Sequence, residues 1–381
     1  MKPSRRSEVA PFFVMEMMKA ADERALTGVE VLHLEVGQPT TAAPEGVRRA
    51  AVAALADDRL GYTPALGIDE LRERIARWYD ERYGVIVPTD RVAVTVGASG
   101  AFVLAAIAAF DVGARIGITA PGYAAYRNIL SALDLEVVSV EVDATTRFVP
   151  TSARLDAALP LDGLVVASPS NPTGTMLTRD ELATVVRWCA EHDVRLVSDE
   201  IYHGISYGAE EVTAVELWDE AIVIQSFSKY FSMTGWRLGW SVLPEGLVRP
   251  VERLAQNLFI SAPTLSQLAA VAAFDCTEEL DENVVRYRER RRILLEGLAA
   301  AGIDEVAPAD GAFYVYARID HLGDATALCR RWLDELAITA TPGVDFDPDG
   351  GHRWVRFSYS ESTGQITEAV RRLAAWTRDR S

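Results

Sequence analysis

Two periods of hydrophobic and polar positions alternate along most of this chain. Residues 15 to 27 are rich in Met, Ala, Glu and Lys and stop at Gly28, as a helix does when a glycine follows its last turn. Val29 to Val36 predicts a strand. From residue 45 onward, helical and strand patterns take turns. Glu70 to Tyr83 is charged and amphipathic, a surface helix. Arg91 to Val96 is β-branched, Gly97 to Gly100 reads as a tight turn, and an alanine-rich helix follows. Short apolar runs then recur at Arg115–Thr119, Glu136–Val140, Gly163–Ala167, Arg195–Ser198 and Ala221–Gln225, each leading into a turn or a helix. This alternation predicts an α/β fold, a mostly parallel sheet flanked by helices.

The last hundred residues read differently. Asn283 to Ala301 is a long helix rich in Arg and Glu, and Phe313–Ala317 and Trp354–Tyr359 read as strands. We expect a large domain over 40–280. A smaller α+β domain is expected from both chain ends, 1–39 and 281–381.

Composition narrows the function classes. The 381 residues are 49% hydrophobic and 24% charged, ample for a large core, and the net charge of −17 disfavours nucleic acid and anionic membranes. Cys189, Cys276 and Cys329 are far apart and show no CxxC spacing, so neither a disulfide framework nor a zinc site is expected. A reducing cytoplasm fits this usage. The N-terminal Met-Lys-Pro-Ser-Arg-Arg precedes an apolar run that is short and broken by Glu16, against a signal peptide. The longest apolar run, Ala101 to Phe110, is too short to span a membrane.

Ligands of open α/β sheets sit beyond the carboxyl ends of the strands, so the residues after each strand carry the candidate chemistry. Gly97-Ala98-Ser99-Gly100 opens a helix, where backbone N–H groups and the helix dipole suit a phosphate. Tyr123, in Pro121-Gly-Tyr123-Ala-Ala-Tyr126, can stack on an aromatic ring. Asn171, in the rigid Ser168-Pro-Ser-Asn-Pro-Thr-Gly174 loop, can donate to a phenolate oxygen. Asp199 would be costly to bury without a partner such as a pyridinium N–H, and Tyr202 follows three residues later. Ser226-Phe-Ser-Lys229-Tyr-Phe-Ser-Met-Thr-Gly-Trp-Arg237 places a lysine among aromatics, between a serine and an arginine that can hold a phosphate. Desolvation there lowers the lysine pKa and frees an amine to attack a carbonyl. In isolation each signal is an ordinary turn, cap or packed aromatic. Together they are the groups that pyridoxal phosphate asks for.

With these motifs the chain resembles the class I/II pyridoxal-phosphate aminotransferases of the aspartate aminotransferase superfamily, fold type I. The segments Val36-Gly-Gln-Pro39, Gly61-Tyr-Thr63, Ser168–Gly174, Ser198–Tyr202, Ser226–Gly239, Gly311-Ala-Phe-Tyr314, Pro342-Gly343 and Val355-Arg-Phe-Ser-Tyr359 stand in the family's order. The resemblance implies that Lys229 binds the cofactor as a Schiff base and shuttles a proton. It implies that Asp199 pairs with the ring nitrogen, Asn171 and Tyr202 with the phenolic oxygen, and Tyr123 with the ring face. Ala98, Ser99, Ser226 and Arg237 would hold the phosphate, and Arg356, beside Gly37, the substrate carboxylate. Tyr62 would reach the phosphate of a second subunit, which implies a homodimer.

Substrate choice is less legible. Bacterial aspartate-type relatives often carry a lysine after the strand that ends here at Val96, and an acid after the glycine of the first motif. This chain has Gly97-Ala-Ser-Gly100-Ala and Gln38. With Phe12, Phe13 and Met17 as a candidate apolar wall, a neutral or apolar amino donor is favoured. A C–S β-lyase or a decarboxylase would share Lys229 and Asp199. A non-catalytic regulator is disfavoured by the short segment before the first strand.

Overall fold

In the computed structural model, which describes residues 2–57 and 60–380, twelve strands follow in chain order. They are β1 (Leu32–His33), β2 (Val92–Thr95), β3 (Arg115–Ala120), β4 (Glu136–Glu141), β5 (Gly163–Ala167), β6 (Arg195–Asp199), β7 (Ile222–Ser226), β8 (Gly239–Val242), β9 (Tyr314–Arg318), β10 (Ile338–Thr339), β11 (Thr341–Pro342) and β12 (Trp354–Ser358). Seven of them form one sheet of order β2-β8-β7-β6-β5-β3-β4. The β3–β7 pairs are parallel, and helices cross between successive strands. The apolar strands β2, β7 and β8 are buried along their whole length, as expected where helices cover both faces. Edge strand β4 instead exposes Glu136, Ser139 and Glu141, polar groups that discourage edge-to-edge pairing.

Three features depart from the sequence-based expectation. Strand β8 was not expected; it runs antiparallel between β2 and β7. The expected Val29–Val36 strand shrinks to Leu32–His33, paired with β10, because the following backbone turns to other tasks. Thus Ser358 N–H donates to the Leu34 carbonyl (2.7 Å), and the Glu35 carbonyl accepts from Arg356. Gly97 begins the helix Gly97–Ala109 directly rather than preceding it with a turn.

The C-terminal third contributes an antiparallel sheet of order β11-β12-β9, and β1 with β10 brings the N-terminal segment onto it. The helices Thr277–Ala300 and Thr363–Arg378 pack against each other so closely that a Cβ on Gly297 would lie 2.2 Å from Val370 Cβ. Gly297→Ala gains helix propensity, yet overpacking costs about 1–3 kcal/mol. We expect a net loss of stability, read as a lower midpoint in urea. An unchanged or higher midpoint would show that the two helices part easily.

Candidate active site

Register explains why distant residues meet. Thr95 pairs with Gly239, Gly239 with Ser226, and Ala167 with Asp199, so the carboxyl ends of β2, β7, β6, β5 and β3 and the start of antiparallel β8 share one edge. A cavity of about 220 Å³ opens there. It is lined by Gly37, Ala98, Ser99, Tyr123, Asn171, Asp199, Tyr202, Ser226, Lys229, Arg237 and Arg356. Tyr62 is not among the lining residues and is 85% exposed. Of the expected apolar wall only Phe12 lines the cavity. Val14 joins it, whereas Met17 packs into the core.

Lys229 Nζ donates to the Gly37 carbonyl at 2.7 Å. Burial lowers its pKa to about 8, with the positive Arg356 and Arg237 adding to the effect and Asp199 opposing it. Asp199 accepts from the Tyr126 hydroxyl and from the Ile201 N–H (3.1 Å). Burial nevertheless raises its pKa to about 6, because these donors are neutral. Arg356 donates to Asn171 Oδ1 (2.9 Å), to the Glu35 carbonyl and to Thr341 Oγ1 (3.2 Å), and its guanidinium lies 4.4 Å from the Tyr314 ring centroid. These acceptors are neutral too, and the buried Arg356 Nε has no hydrogen-bond partner. The Tyr202 and Tyr314 hydroxyls are 2.8 Å apart.

The end near Gly97 is built for an anion. The helix Gly97–Ala109 begins at Val96, which has no side chain to cap the first amides. Ser226 Oγ accepts from the Ser228 N–H (3.0 Å), which leaves its own proton to donate outward. Arg237 adopts a left-handed conformation (φ 52°) that turns its guanidinium over Gly97, where a Cβ would meet Nη2 at 2.6 Å. Gly37 is required for a similar reason: a Cβ there would lie 1.8 Å from the Tyr314 hydroxyl.

Tyr126 and Tyr314 belong to the site but were not assigned to it from sequence. Both stood inside quoted motifs, and their hydroxyls were the available signal, since a buried Tyr O–H needs a partner.

The chain belongs to the class I and II aminotransferases: that family's model matches residues 29–373. Valine–pyruvate aminotransferase of Mycobacterium tuberculosis is 48% identical over 377 residues, covering 97% of each chain. A crystal structure of an aminotransferase from M. tuberculosis superposes over 100% of both chains with a TM-score of 0.98 at 47% identity. Aspartate aminotransferase of Thermus thermophilus, solved with maleate, superposes with a TM-score of 0.92 at 31% identity, covering 98% of this chain and 99% of that one. The protein is therefore an enzyme, a transaminase, and its family uses pyridoxal 5′-phosphate.

The residues present fit that cofactor. Uncapped helix amides, a serine hydroxyl and an arginine suit its phosphate. A buried carboxylate with only neutral donors suits a protonated ring nitrogen, and an amine of lowered pKa suits its aldehyde. Tyr126→Phe removes a donor from Asp199; a hydrogen bond to a charged group contributes about 1.5–3 kcal/mol. Titration of the apoprotein is expected to show pyridoxal phosphate binding weakened roughly tenfold or more. Wild-type affinity would mean that Tyr126 does not help to hold Asp199.

Proposed function

We propose that this transaminase takes the amino group of a neutral, apolar L-amino acid and passes it to a 2-oxo acid, with Lys229 as the catalytic residue. The observation that carries the reading is Lys229 itself, half-buried among the lining residues and lowered to about pKa 8 by the protein around it. When bound, pyridoxal phosphate supplies an aldehyde for an amine and a ring that takes up electron density from the substrate α-carbon. Lys229 Nζ provides the amine and afterwards takes the donor's α-proton as a general base. Near pH 7 a fraction on the order of a tenth of such amines is unprotonated, enough to start the reaction.

Asp199 would hold the ring nitrogen, which relieves its unneutralised burial. Asn171 and Tyr202 would donate to the phenolic oxygen. The Asn171 carbonyl already accepts from Arg356, which turns its NH₂ group to donate elsewhere. Tyr123 would cover the ring face. Ala98, Ser99, Ser226 and Arg237 would hold the phosphate. Arg356, with neutral partners only, would grip the donor carboxylate as a planar fork beside Gly37.

The apolar donor is supported by Phe12, Val14, Ala125 and Ile129 on the cavity wall, and by a relative that acts on valine and pyruvate. We assign Tyr62 to the phosphate site of a second copy in a homodimer. Its exposure supports this, and so does the hydrogen bond from Thr264 to the Gly61 carbonyl (2.6 Å), which ties its segment next to the exposed Leu258, Phe259 and Ile260. A division into 40–280 and the two chain ends is supported by the pairing of β1 with β10. Three free cysteines support a reducing cytoplasm, and among the described residues no helix is long and apolar enough to cross a membrane.

A donor screen against pyruvate and 2-oxoglutarate tests the assignment. We expect turnover with valine, leucine or another apolar donor and little with aspartate; a strict preference for aspartate would overturn it. Release of pyruvate and ammonia without an oxo-acid acceptor would favour the lyase reading instead. For Lys229, capture of the cofactor by the apoprotein is expected to rise roughly tenfold per pH unit up to about pH 8 and then level off. The pH-dependent visible absorbance of the bound cofactor is expected to be absent in Lys229→Ala, together with turnover.

A further inference from the structure

The apolar wall hangs on the first turn of the N-terminal helix, Phe13–Ala25, and that turn lacks the usual device for starting a helix. Its N-cap position is Phe12, whose side chain makes no capping hydrogen bond. Serine, threonine, aspartate and asparagine are favoured there because they accept from the first free amides. Here the position is committed to the cavity: Phe12 lines it and meets the Tyr123 ring edge-on, with centroids 5.8 Å apart.

The missing acceptor comes from far along the chain. Asp345 Oδ1 accepts from the Phe13 N–H (3.2 Å) and Oδ2 from the Val14 N–H (3.4 Å). The Asp345 residue is 1% exposed. Its own carbonyl accepts from Arg127 Nη2 (3.1 Å), and the next carbonyl, of Phe346, accepts from the Gly122 N–H (3.1 Å). Both donors belong to the segment that carries Tyr123. The Phe346 ring in turn lies 4.8 Å from the Arg356 guanidinium. One turn therefore touches the helix that bears Phe12 and Val14, the loop that bears Tyr123, and the arginine assigned to the donor carboxylate.

We propose that Asp345 is a positioning residue for donor selectivity: it caps the N-terminal helix from outside and thereby sets the distance between the Phe12–Val14 wall and the carboxylate grip of Arg356. A negative carboxylate also complements the positive end of the helix. The donor side chain must fit between wall and grip. Alanine has no atoms beyond Cβ to meet the wall, whereas valine and leucine do.

This inference rests on the apolar-donor reading, and one experiment separates the two. kcat and KM are measured for leucine, valine and alanine with pyridoxal-phosphate-loaded wild type, Asp345→Ala and Asp345→Asn, using 2-oxoglutarate as acceptor, and for aspartate with the wild type. Asp345→Ala is expected to lower kcat/KM for leucine and valine roughly tenfold, mostly through KM, and for alanine less than about threefold. Asparagine keeps one acceptor oxygen, so Asp345→Asn is expected to recover most of the leucine-to-alanine ratio. It also serves as the informative variant should Asp345→Ala fold poorly, a ratio below that of wild type by less than about threefold being expected. An equal loss with all three donors would mark Asp345 as merely structural and overturn the proposal, as would an unchanged ratio in every folded variant. A wild type that does not favour leucine or valine over aspartate would instead overturn the apolar-donor reading itself.

Discussion

Besides Arg237, three charged side chains line the cavity at the sheet edge, and none of these three has its charge cancelled by a close partner. Lys229 is held by a carbonyl, Asp199 by a hydroxyl and a backbone N–H, and Arg356 by an amide oxygen, a carbonyl and a hydroxyl. Burying unneutralised charge is expensive. The shifts at Lys229 and Asp199 are that cost made visible: each is driven mainly by burial, and each moves toward the neutral form. Neutral dipoles hold the three in place without using up their charge. A cofactor with a phosphate, a ring nitrogen and an aldehyde, together with a substrate carboxylate, would supply the missing counterparts, so a region that is costly to bury is also suited to selective binding.

Much of the remaining structure fixes these three groups relative to one another. Asp199 ends β6, paired with Ile224 of the neighbouring parallel strand β7, and Lys229 follows the end of β7 by three residues. Arg356 lies in another sheet, on β12, and must be related to them across the gap. The segment after β1 does this. Its Glu35 carbonyl receives Arg356 and its Gly37 carbonyl receives Lys229, two residues apart on one stretch of chain. That stretch is itself fastened by the buried Glu35 carboxylate, which takes Thr339 on one oxygen and His33 (2.9 Å) on the other. The His33–Glu35 hydrogen bond is also the leading reason that the His33 pKa is raised. The shortness of β1 follows from this work: backbone that binds two charged side chains cannot also continue a strand ladder.

The sequence was most legible where chemistry follows a strand. The expected strand ends of the seven-stranded sheet matched those observed to within a residue or two, and the residues after them converge because parallel strands deliver their carboxyl ends to one edge. It was least legible where a side chain has two plausible employments. Tyr126 and Tyr314 look like packed aromatics in any local window, and only the fold brings their hydroxyls to Asp199 and Tyr202. Strand β8 was hidden because Gly239-Trp-Ser-Val continues a motif dominated by Lys229 and Arg237. Antiparallel insertion between β2 and β7 leaves no mark on hydrophobic periodicity. Phe13 was grouped with Phe12 by proximity, but a helix starting at Phe13 turns successive side chains by about 100°, and Met17, about one turn further along, packs into the core. The role proposed for Tyr62 needs a second copy of the chain, and the sequence reaches that only through resemblance.

The Gly97 end of the cavity shows why β8 runs antiparallel. Arg237 precedes β8, and only a strand that starts at the carboxyl edge brings its preceding residue there. The link from β7 must then reverse within the twelve residues that separate Ser226 from Gly239, carrying Lys229 and Arg237 back to the same rim. Left-handed Ser232 (φ 55°) and Arg237 (φ 52°) make that reversal, at a conformational cost that non-glycine residues seldom bear. Glycine stands at the points of closest approach. At Gly239 a Cβ would meet the Ala98 amide nitrogen at 2.8 Å, and at Gly97 it would meet Arg237. The cradle is thus two backbone segments and one guanidinium packed more closely than side chains allow. Its amides stay free for an anion because little else can enter.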